Sequence, residues 1–140
     1  MRISNPVDLI IIRGNKILLA KRNEEELGFE GTWSIPGGES ETNESIEEAL
    51  HREIKEELNC KITKFNYFKS YCLKLVEDCI LRAFYFYGDI EGEIKVNAEL
   101  SEFKWFDLNN PQLLKLNFAF NQKEVIKDFI KFWNDKYNKT

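Results

Sequence analysis

Two apolar runs near the start of the chain predict the first strands of a β-sheet. Residues 7–12 and 17–22 are largely apolar, and the four residues between them, 13–16, contain a glycine and an asparagine, which suit a hairpin turn. A shorter run at 33–35 predicts a third strand, which the following Pro-Gly-Gly would end. The polar stretch 23–32 is expected to form a surface loop.

Two other segments carry apolar residues at the spacing of an α-helix. Residues 45–58 form the first, with Asn43 as the expected N-cap, glutamates in the first turns and Asn59 as the residue that ends the helix. Residues 121–137 repeat apolar positions every three or four residues, so this helix should lay one face on the sheet.

Strand-like patterns fill the region between the two predicted helices. Residues 62–75 and 79–87 are expected to pair as strands joined near 77–78. The segment 88–92 begins and ends with glycine and predicts a turn, followed by a loop and a further apolar stretch at 103–106. Strands and helices therefore share one mixed α and β unit.

Chain length and composition indicate an ordinary soluble protein. The chain has 140 residues, of which 43% are hydrophobic and 31% charged, so we expect residues 1–140 to form a single domain. No apolar run approaches the roughly 20 residues that a membrane helix needs, and we expect neither a membrane span nor a signal peptide.

Cysteine and histidine content argues against a disulfide framework or a zinc site. The three cysteines form no CxxC pair, and His51 is the only histidine. We therefore expect reduced thiols and a cytoplasmic location. The net charge of −4 argues against broad binding to a nucleic acid polymer, although the lysines of the last 30 residues could form either a local basic face or an ordinary solvated helix surface.

Three glutamates of the first predicted helix fall on its apolar side. On a helical wheel with Glu53 at zero, Glu56 and Glu57 lie within roughly 60° of it. Lys55 falls near the opposite side, where solvated residues are expected. The apolar residues that share the side of the glutamates are Ile46, Ala49 and Leu50.

Such a cluster of carboxylates is costly unless something relieves it. Two like charges about 4 Å apart repel by about 4 kcal/mol at an effective dielectric constant of 20. The glutamates must therefore face a water-filled cleft, be partly protonated or surround a positive group. Oxygen ligands at this spacing suit Mg²⁺ or Mn²⁺ rather than zinc or copper.

The double glycine before the helix could contribute to the same site. Gly37 and Gly38 allow unusual backbone angles and close approach of the main chain, so a carbonyl there could face the same cation. An ordinary turn after Pro36 would use the same residues.

The segment from Gly38 to Cys60 resembles the Nudix box of the MutT/Nudix hydrolases. That box reads G, five residues, E, seven residues and REUxEExGU, where U is aliphatic; here Gly38 and Glu44 precede the run REIKEELNC at the same spacing. Residues 33–37 also resemble the usual approach to the box. Two positions depart from the pattern, since Asn59 replaces a glycine and Cys60 an aliphatic residue. Both replacements suit their positions, because Asn tolerates the left-handed conformation and Cys behaves as a small hydrophobe.

The resemblance implies a fold and a chemistry. The implied fold is an α/β/α sandwich with a mixed sheet, and the implied reaction is metal-dependent hydrolysis of a nucleoside diphosphate linked to another group. By the same resemblance, Mg²⁺ or Mn²⁺ is held by Gly37, Glu53, Glu56 and Glu57. Glu99 or Glu102 would supply one more acid.

Other residues receive supporting roles from the same resemblance. Arg52 is expected to be a structural partner of glutamates such as Glu44 or Glu48. Arg22 could contact substrate phosphate, and Asn121 or Asn117 could recognise the edge of a base.

The sequence leaves three hypotheses open for the function and its substrate. The proline of ADP-ribose hydrolases is absent, because Leu75 stands about where it is expected, and no other branch signature is present. A MutT-like nucleoside triphosphate pyrophosphohydrolase, active as a monomer or homodimer, is therefore the first expectation. A hydrolase of nucleoside diphosphate sugars or other diphosphates is the second. A catalytically weak ligand sensor or partner-binding module is the third.

Overall fold

The structure, a computed structural model, describes residues 2–23, 31–76 and 78–137, and the side chains of 75 and 76 lie outside this description. The strands and helices are β1 (Arg2–Ser4), β2 (Pro6–Arg13), β3 (Lys16–Arg22), β4 (Trp33–Ser34), β5 (Gly37–Glu39), α1 (Ile46–Leu58), β6 (Lys61–Val76), β7 (Cys79–Glu91), β8 (Leu100–Asp107), a 3₁₀ turn (Leu113–Lys115) and α2 (Gln122–Tyr137).

The strands form a mixed sheet in the order β1-β7-β2-β3-β4. β7 runs parallel to β1 and β2, and antiparallel to β6. β3 pairs antiparallel with β2, β4 and β8. β5 adds to β2 antiparallel, which brings the double glycine onto the central strand.

Both faces of the central strand β2 are covered by a helix, because its alternate residues point to opposite sides. Val7, Leu9 and Ile11 pack with α1, and Ile10 and Ile12 pack with α2. The helical partners are Ala49, Leu50, Ile54 and Leu58 in α1, and Val125, Ile126 and Phe129 in α2. The predicted α/β/α sandwich with a mixed sheet is confirmed.

The ends of α1 confirm one predicted cap and correct the other. Asn59 takes the left-handed conformation, with φ 61° and ψ 30°, and its N–H donates to the Lys55 carbonyl. The N-cap is Ser45 and not Asn43. Ser45 accepts from the Glu48 N–H, and Glu48 accepts from the Ser45 N–H, which completes a capping box.

Several strands extend further than the sequence indicated. The turn predicted at 88–92 is wrong, because β7 continues to Glu91. Gly88 serves close packing within that strand, since a Cβ there would lie 1.9 Å from the Lys64 carbonyl oxygen, beside a register shift in β6.

Two short strands, β1 and β5, were not predicted, and β8 is longer than the expected 103–106. The hairpin between β2 and β3 is confirmed, with Arg13 opposite Lys16. The predicted loop at 23–32 and the joint near 77–78 fall partly outside the described residues. Among the helices of the described ranges, none has the length and apolarity to cross a bilayer.

Candidate active site

The glutamates of α1 border a cleft of ≈ 300 Å³ between α1, the double glycine and the segment before β8. Their exposure differs, since Glu57 is 7% exposed while the side chains of Glu53 and Glu56 are 14% and 55% exposed. The predicted common side is thus buried at Glu57 and open to solvent at Glu56. The lining residues are Arg22, Gly37, Gly38, Glu39, Glu53, Glu56, Glu57, Asn97 and Glu99.

Arg52 is the positive group that is hydrogen-bonded to these acids. Its guanidinium makes two hydrogen bonds to Glu44, at 2.6 and 2.9 Å, and further ones to Glu53 at 2.8 Å and Glu56 at 3.2 Å. The bond from Arg52 lowers the pKa of Glu44 to about 2. The expected partnership with Glu44 is confirmed, whereas Glu48 is used by the capping box.

At Glu57 the repulsion between carboxylates is relieved differently, by protonation. Burial, together with the charges of Glu53 and Glu99, raises the pKa of Glu57 to about 8, although the hydrogen bond from the Gly37 N–H at 2.8 Å opposes the change. Burial also raises the pKa of Glu53, although Arg52 opposes the change. Without a cation, Glu57 therefore holds a proton at neutral pH.

The double glycine is required by close packing. A Cβ on Gly37, whose φ is +153°, would lie 2.0 Å from Asp8 Oδ1 and 2.2 Å from the Val7 carbonyl oxygen. A Cβ on Gly38 would lie 2.3 Å from Glu53 Oε2. These glycines do not form a simple turn, because they begin β5 and bring its main chain close to the side chains of Asp8 and Glu53.

The acids of the cleft match a hard divalent cation in donor type. Within 2–23, 31–76 and 78–137, no three Asp, Glu, His or Cys side chains are already grouped closely enough to hold a metal ion. Glu53 and Glu56 are paired with Arg52, and Glu57 with the Gly37 N–H. Carboxylate oxygens are nevertheless the ligands that Mg²⁺ and Mn²⁺ prefer, and their convergence on one cleft fits such an ion.

A second pocket of ≈ 340 Å³ adjoins the acidic cleft on the side of α2. The two spaces share Arg22, Gly37, Gly38, Glu39 and Glu57. The remaining walls that matter for recognition are Asp8, Ser34, Tyr85, Phe120 and Gln122. A ligand could therefore lie in both spaces at once.

Buried polar side chains form the floor of this second pocket. Gln122 and Asp8 are 6% and 5% exposed, and Gln122 Nε2 donates to Asp8 Oδ2 at 3.4 Å. Gln122 Oε1 accepts from the Ile35 N–H at 2.7 Å. Burial, together with the charges of Glu57 and Glu53, raises the pKa of Asp8 well above its ordinary value. Sequence reasoning missed this pair, although Asp8 is the only acid within the apolar run 7–12.

The backbone is strained where α2 begins, beside the same pocket. Phe120 has φ +51°, which is uncommon for a bulky residue and is often found at functional sites. Asn121 follows, and its buried Oδ1 has no hydrogen-bond partner among residues 2–23, 31–76 and 78–137. An Asn directly before a helix ordinarily spends this atom on a helix N–H. Here the acceptor remains available, although Asn121 does not itself line the pocket.

Of the other residues predicted to bind substrate or to supply an acid, two line the cleft and two do not. Arg22 and Glu99 line the cleft as expected. Glu102 lies within β8, in register with Lys21, and not in the loop where it was predicted. Asn117 is exposed, and its carbonyl accepts from the Trp33 N–H.

Comparison with known proteins identifies the family. The model of the NUDIX domain matches residues 4–129. The chain belongs to the NUDIX family. The sequence-based prediction of a Nudix hydrolase is therefore confirmed, and enzymes of this family generally use divalent metal ions.

Several relatives of this Nudix chain align over most of its length. An ADP-ribose pyrophosphatase of Methanocaldococcus jannaschii is 37% identical over 91% of the chain and 73% of the relative. An 8-oxo-dGTP diphosphatase of Buchnera aphidicola is 31% identical over 94% of the chain and 96% of the relative. The solution structure of the E. coli ORF135 protein superposes with a TM-score of 0.83 at 26% identity, covering 99% of this chain and 96% of that one.

Proposed function

We propose that this Nudix hydrolase splits ribo- or deoxyribonucleoside triphosphates into the monophosphate and pyrophosphate, using Mg²⁺ or Mn²⁺. The observation that carries the proposal is the junction of the acidic cleft with the ≈ 340 Å³ pocket. Phosphates bound at the acids would place the nucleoside in that pocket. Its volume is near the lower end for ligand sites and suits one nucleoside rather than two.

The acids of α1 would hold the cation in this proposal. Glu53, Glu56, Glu57 and the carbonyl of Gly37 are the proposed ligands. When bound, the cation supplies neutralisation of phosphate charge and a lower pKa for an attacking water. The proton that Glu57 retains in its buried position must leave before its carboxylate can bind a metal.

Proton removal from the attacking water is assigned to an acid of the same cleft. Glu53 and Glu99 both line the cleft, and the charge of each acts on Glu57. Either carboxylate could accept the proton as a general base. Comparing Glu53→Gln with Glu99→Gln in pH–rate profiles separates them, because loss of the base removes the acidic limb of the profile.

Substrate recognition is assigned to residues on both sides of the junction. Arg22 borders both spaces and can bind a phosphate that spans them. Phe120 lines the pocket, where a ring can stack on a base. Asn121 follows Phe120, and its buried Oδ1 would accept a hydrogen bond from the base edge only if ligand binding shifts this segment toward the pocket.

A nucleoside diphosphate sugar is the second candidate substrate. It is favoured by the relative named ADP-ribose pyrophosphatase, which is 37% identical to this chain. The same acids would serve either substrate, so the two candidates differ only in what lies beyond the phosphates.

We further propose that the protein works in a reducing cytoplasm and that residues 1–140 form one domain. Its partner is a small nucleotide. The setting is supported by Cys60, Cys72 and Cys79, which are all free.

The test is a substrate panel with purified protein. Values of kcat/KM are measured with Mg²⁺ for the NTPs, the dNTPs, an oxidised dGTP and ADP-ribose. The proposal expects the best triphosphate to exceed ADP-ribose by at least about tenfold, or about 1.4 kcal/mol in transition-state binding. The reverse order supports the sugar nucleotide, and no turnover of any member refutes both.

A further inference from the structure

Three of the four buried polar side chains in the described ranges are connected by successive contacts between the ≈ 340 Å³ pocket and the acidic cleft. The described ranges bury Asp8, Ser34, Glu57 and Gln122. Burying such groups costs free energy unless each has a hydrogen-bond partner. Gln122 contacts Asp8 directly, and the main chain of Gly37 connects Asp8 to Glu57.

Gln122 is fixed at both ends of its amide. The Ile35 N–H donates to Oε1 at 2.7 Å, which leaves the Nε2 group as the donor to Asp8 Oδ2 at 3.4 Å. Gln122 is also the first residue of α2, two positions after the strained Phe120. Its side chain therefore connects the beginning of α2 to the segment between β4 and β5 and to β2.

Asp8 carries the connection to Gly37. The two residues are register partners between β2 and β5, and Asp8 Oδ1 packs so closely on Gly37 that a Cβ there would lie 2.0 Å away. The Gly37 N–H then donates to Glu57 Oε1 at 2.8 Å. A shift of Asp8 would move the peptide that orients Glu57.

We propose that Gln122 is a positioning residue that holds Glu57 in place through Asp8 and Gly37. The proposal rests on the proposed function, since it concerns a metal ligand of that site. Gln122 does not touch the reacting phosphates in this account. Its effect reaches the cation through the orientation of a single carboxylate, as outer contacts of metal ligands commonly do.

The decisive variant is Gln122→Glu, which keeps the acceptor for the Ile35 N–H and removes the donor to Asp8. The matched rescue is the double variant Asp8→Asn with Gln122→Glu, which restores a donor–acceptor pair with the roles exchanged. Apparent Mg²⁺ affinity is measured without substrate, from the rise in melting temperature during a Mg²⁺ titration. Turnover is measured separately on a triphosphate and on a base-free ribosyl pyrophosphate.

The proposal expects Gln122→Glu to weaken apparent Mg²⁺ affinity by about tenfold, within the range seen for outer contacts of metal sites, and the double variant to recover most of it. It also expects kcat to fall on both substrates. An unchanged Mg²⁺ titration with a higher KM for the triphosphate alone would overturn it, because Gln122 would then merely line the nucleoside pocket.

Two controls keep the result interpretable. If Gln122→Glu is too unstable to assay, Gln122→Met fills similar space without a donor and must show the same weakened titration. If Mg²⁺ does not stabilise the wild-type protein, the proposed metal site itself fails. If wild type binds Mg²⁺ and turns over substrate while every variant matches it, only the positioning role fails.

Discussion

At the level of single residues, polar side chains come together in this site in two ways, through helix geometry and through the packing of distant segments. Glu53, Glu56 and Glu57 were placed together because helix geometry alone determines their common side. Asp8 and Gln122 are 114 positions apart and meet only after the sheet and α2 have packed. No local spacing could have paired them.

Glu57→Gln is expected to lower kcat by about 100-fold or more, because a proposed metal ligand is lost. The fold should be retained, since the amide can still accept the hydrogen bond from the Gly37 N–H. Initial rates with Mg²⁺ and thermal melts measure the two effects. The control is Glu47→Gln, an exposed acid of the same helix outside the cleft. Equal rates for the two variants would show that Glu57 is not a ligand.

Asn59→Val is expected to destabilise the protein by about 1 to 2 kcal/mol, because a β-branched side chain is strained at φ 61°. Asn59→Gly should be neutral or slightly stabilising, since glycine prefers this conformation. The valine variant should also weaken Mg²⁺ binding, because α1 ends at Leu58, one residue after Glu57. Identical urea midpoints for the two variants would contradict the role of this cap.

At the level of helices and strands, the pattern predicted which elements exist better than it predicted where they begin and end. The pattern identified α1, α2 and the long strands, whereas β1 and β5 are too short to show a period. Gly88 was read as part of a turn because glycine marks both turns and closely packed strands. Which of these applies depends on a carbonyl of a neighbouring strand.

The beginning of α1 offers a direct comparison between the predicted cap and the observed one. Ser45→Ala removes the hydrogen bond to the Glu48 N–H and should cost about 1 kcal/mol. Asn43→Ala should leave the stability unchanged, because Asn43 is exposed and lies outside the capping box. Chemical denaturation of both variants measures this, and a larger loss for Asn43→Ala would restore it as the cap.

At the level of the whole molecule, the active cleft depends on how the layers meet. α1 supplies the acids, β5 brings the glycines to the central strand, and α2 closes the second pocket. The apolar pattern predicted the strands and helices, and the resemblance to the Nudix box implied their arrangement as a sandwich, so the fold was predictable. The pocket was not, because its walls come from strands and a helix that are far apart in the sequence.

Stability of the metal-free protein should fall as pH rises from 4.5 to about 8. Between these values the unfolded chain releases the proton of Glu57 while the folded chain retains it, because burial raises the pKa to about 8 from 4.5. Asp8 acts in the same direction. Glu44, whose pKa is lowered to about 2, contributes stability that is lost only below this window.

Urea unfolding at pH 5 and pH 8 measures this dependence. The slope should be smaller in Glu57→Gln, which has no proton to retain at that position, and smaller with Mg²⁺, which replaces the proton. A stability that rises through the window, or an equal slope in the variant, would contradict the protonated state of Glu57.

The most direct test of the central claim is ³¹P NMR of the products formed from a nucleoside triphosphate, with Mg²⁺ and then with excess chelator. The account predicts equal amounts of monophosphate and pyrophosphate, formed only when the divalent cation is present. Release of orthophosphate with the diphosphate, or turnover that persists in the chelator, would contradict the assignment of this acidic cleft as a metal-dependent pyrophosphohydrolase site.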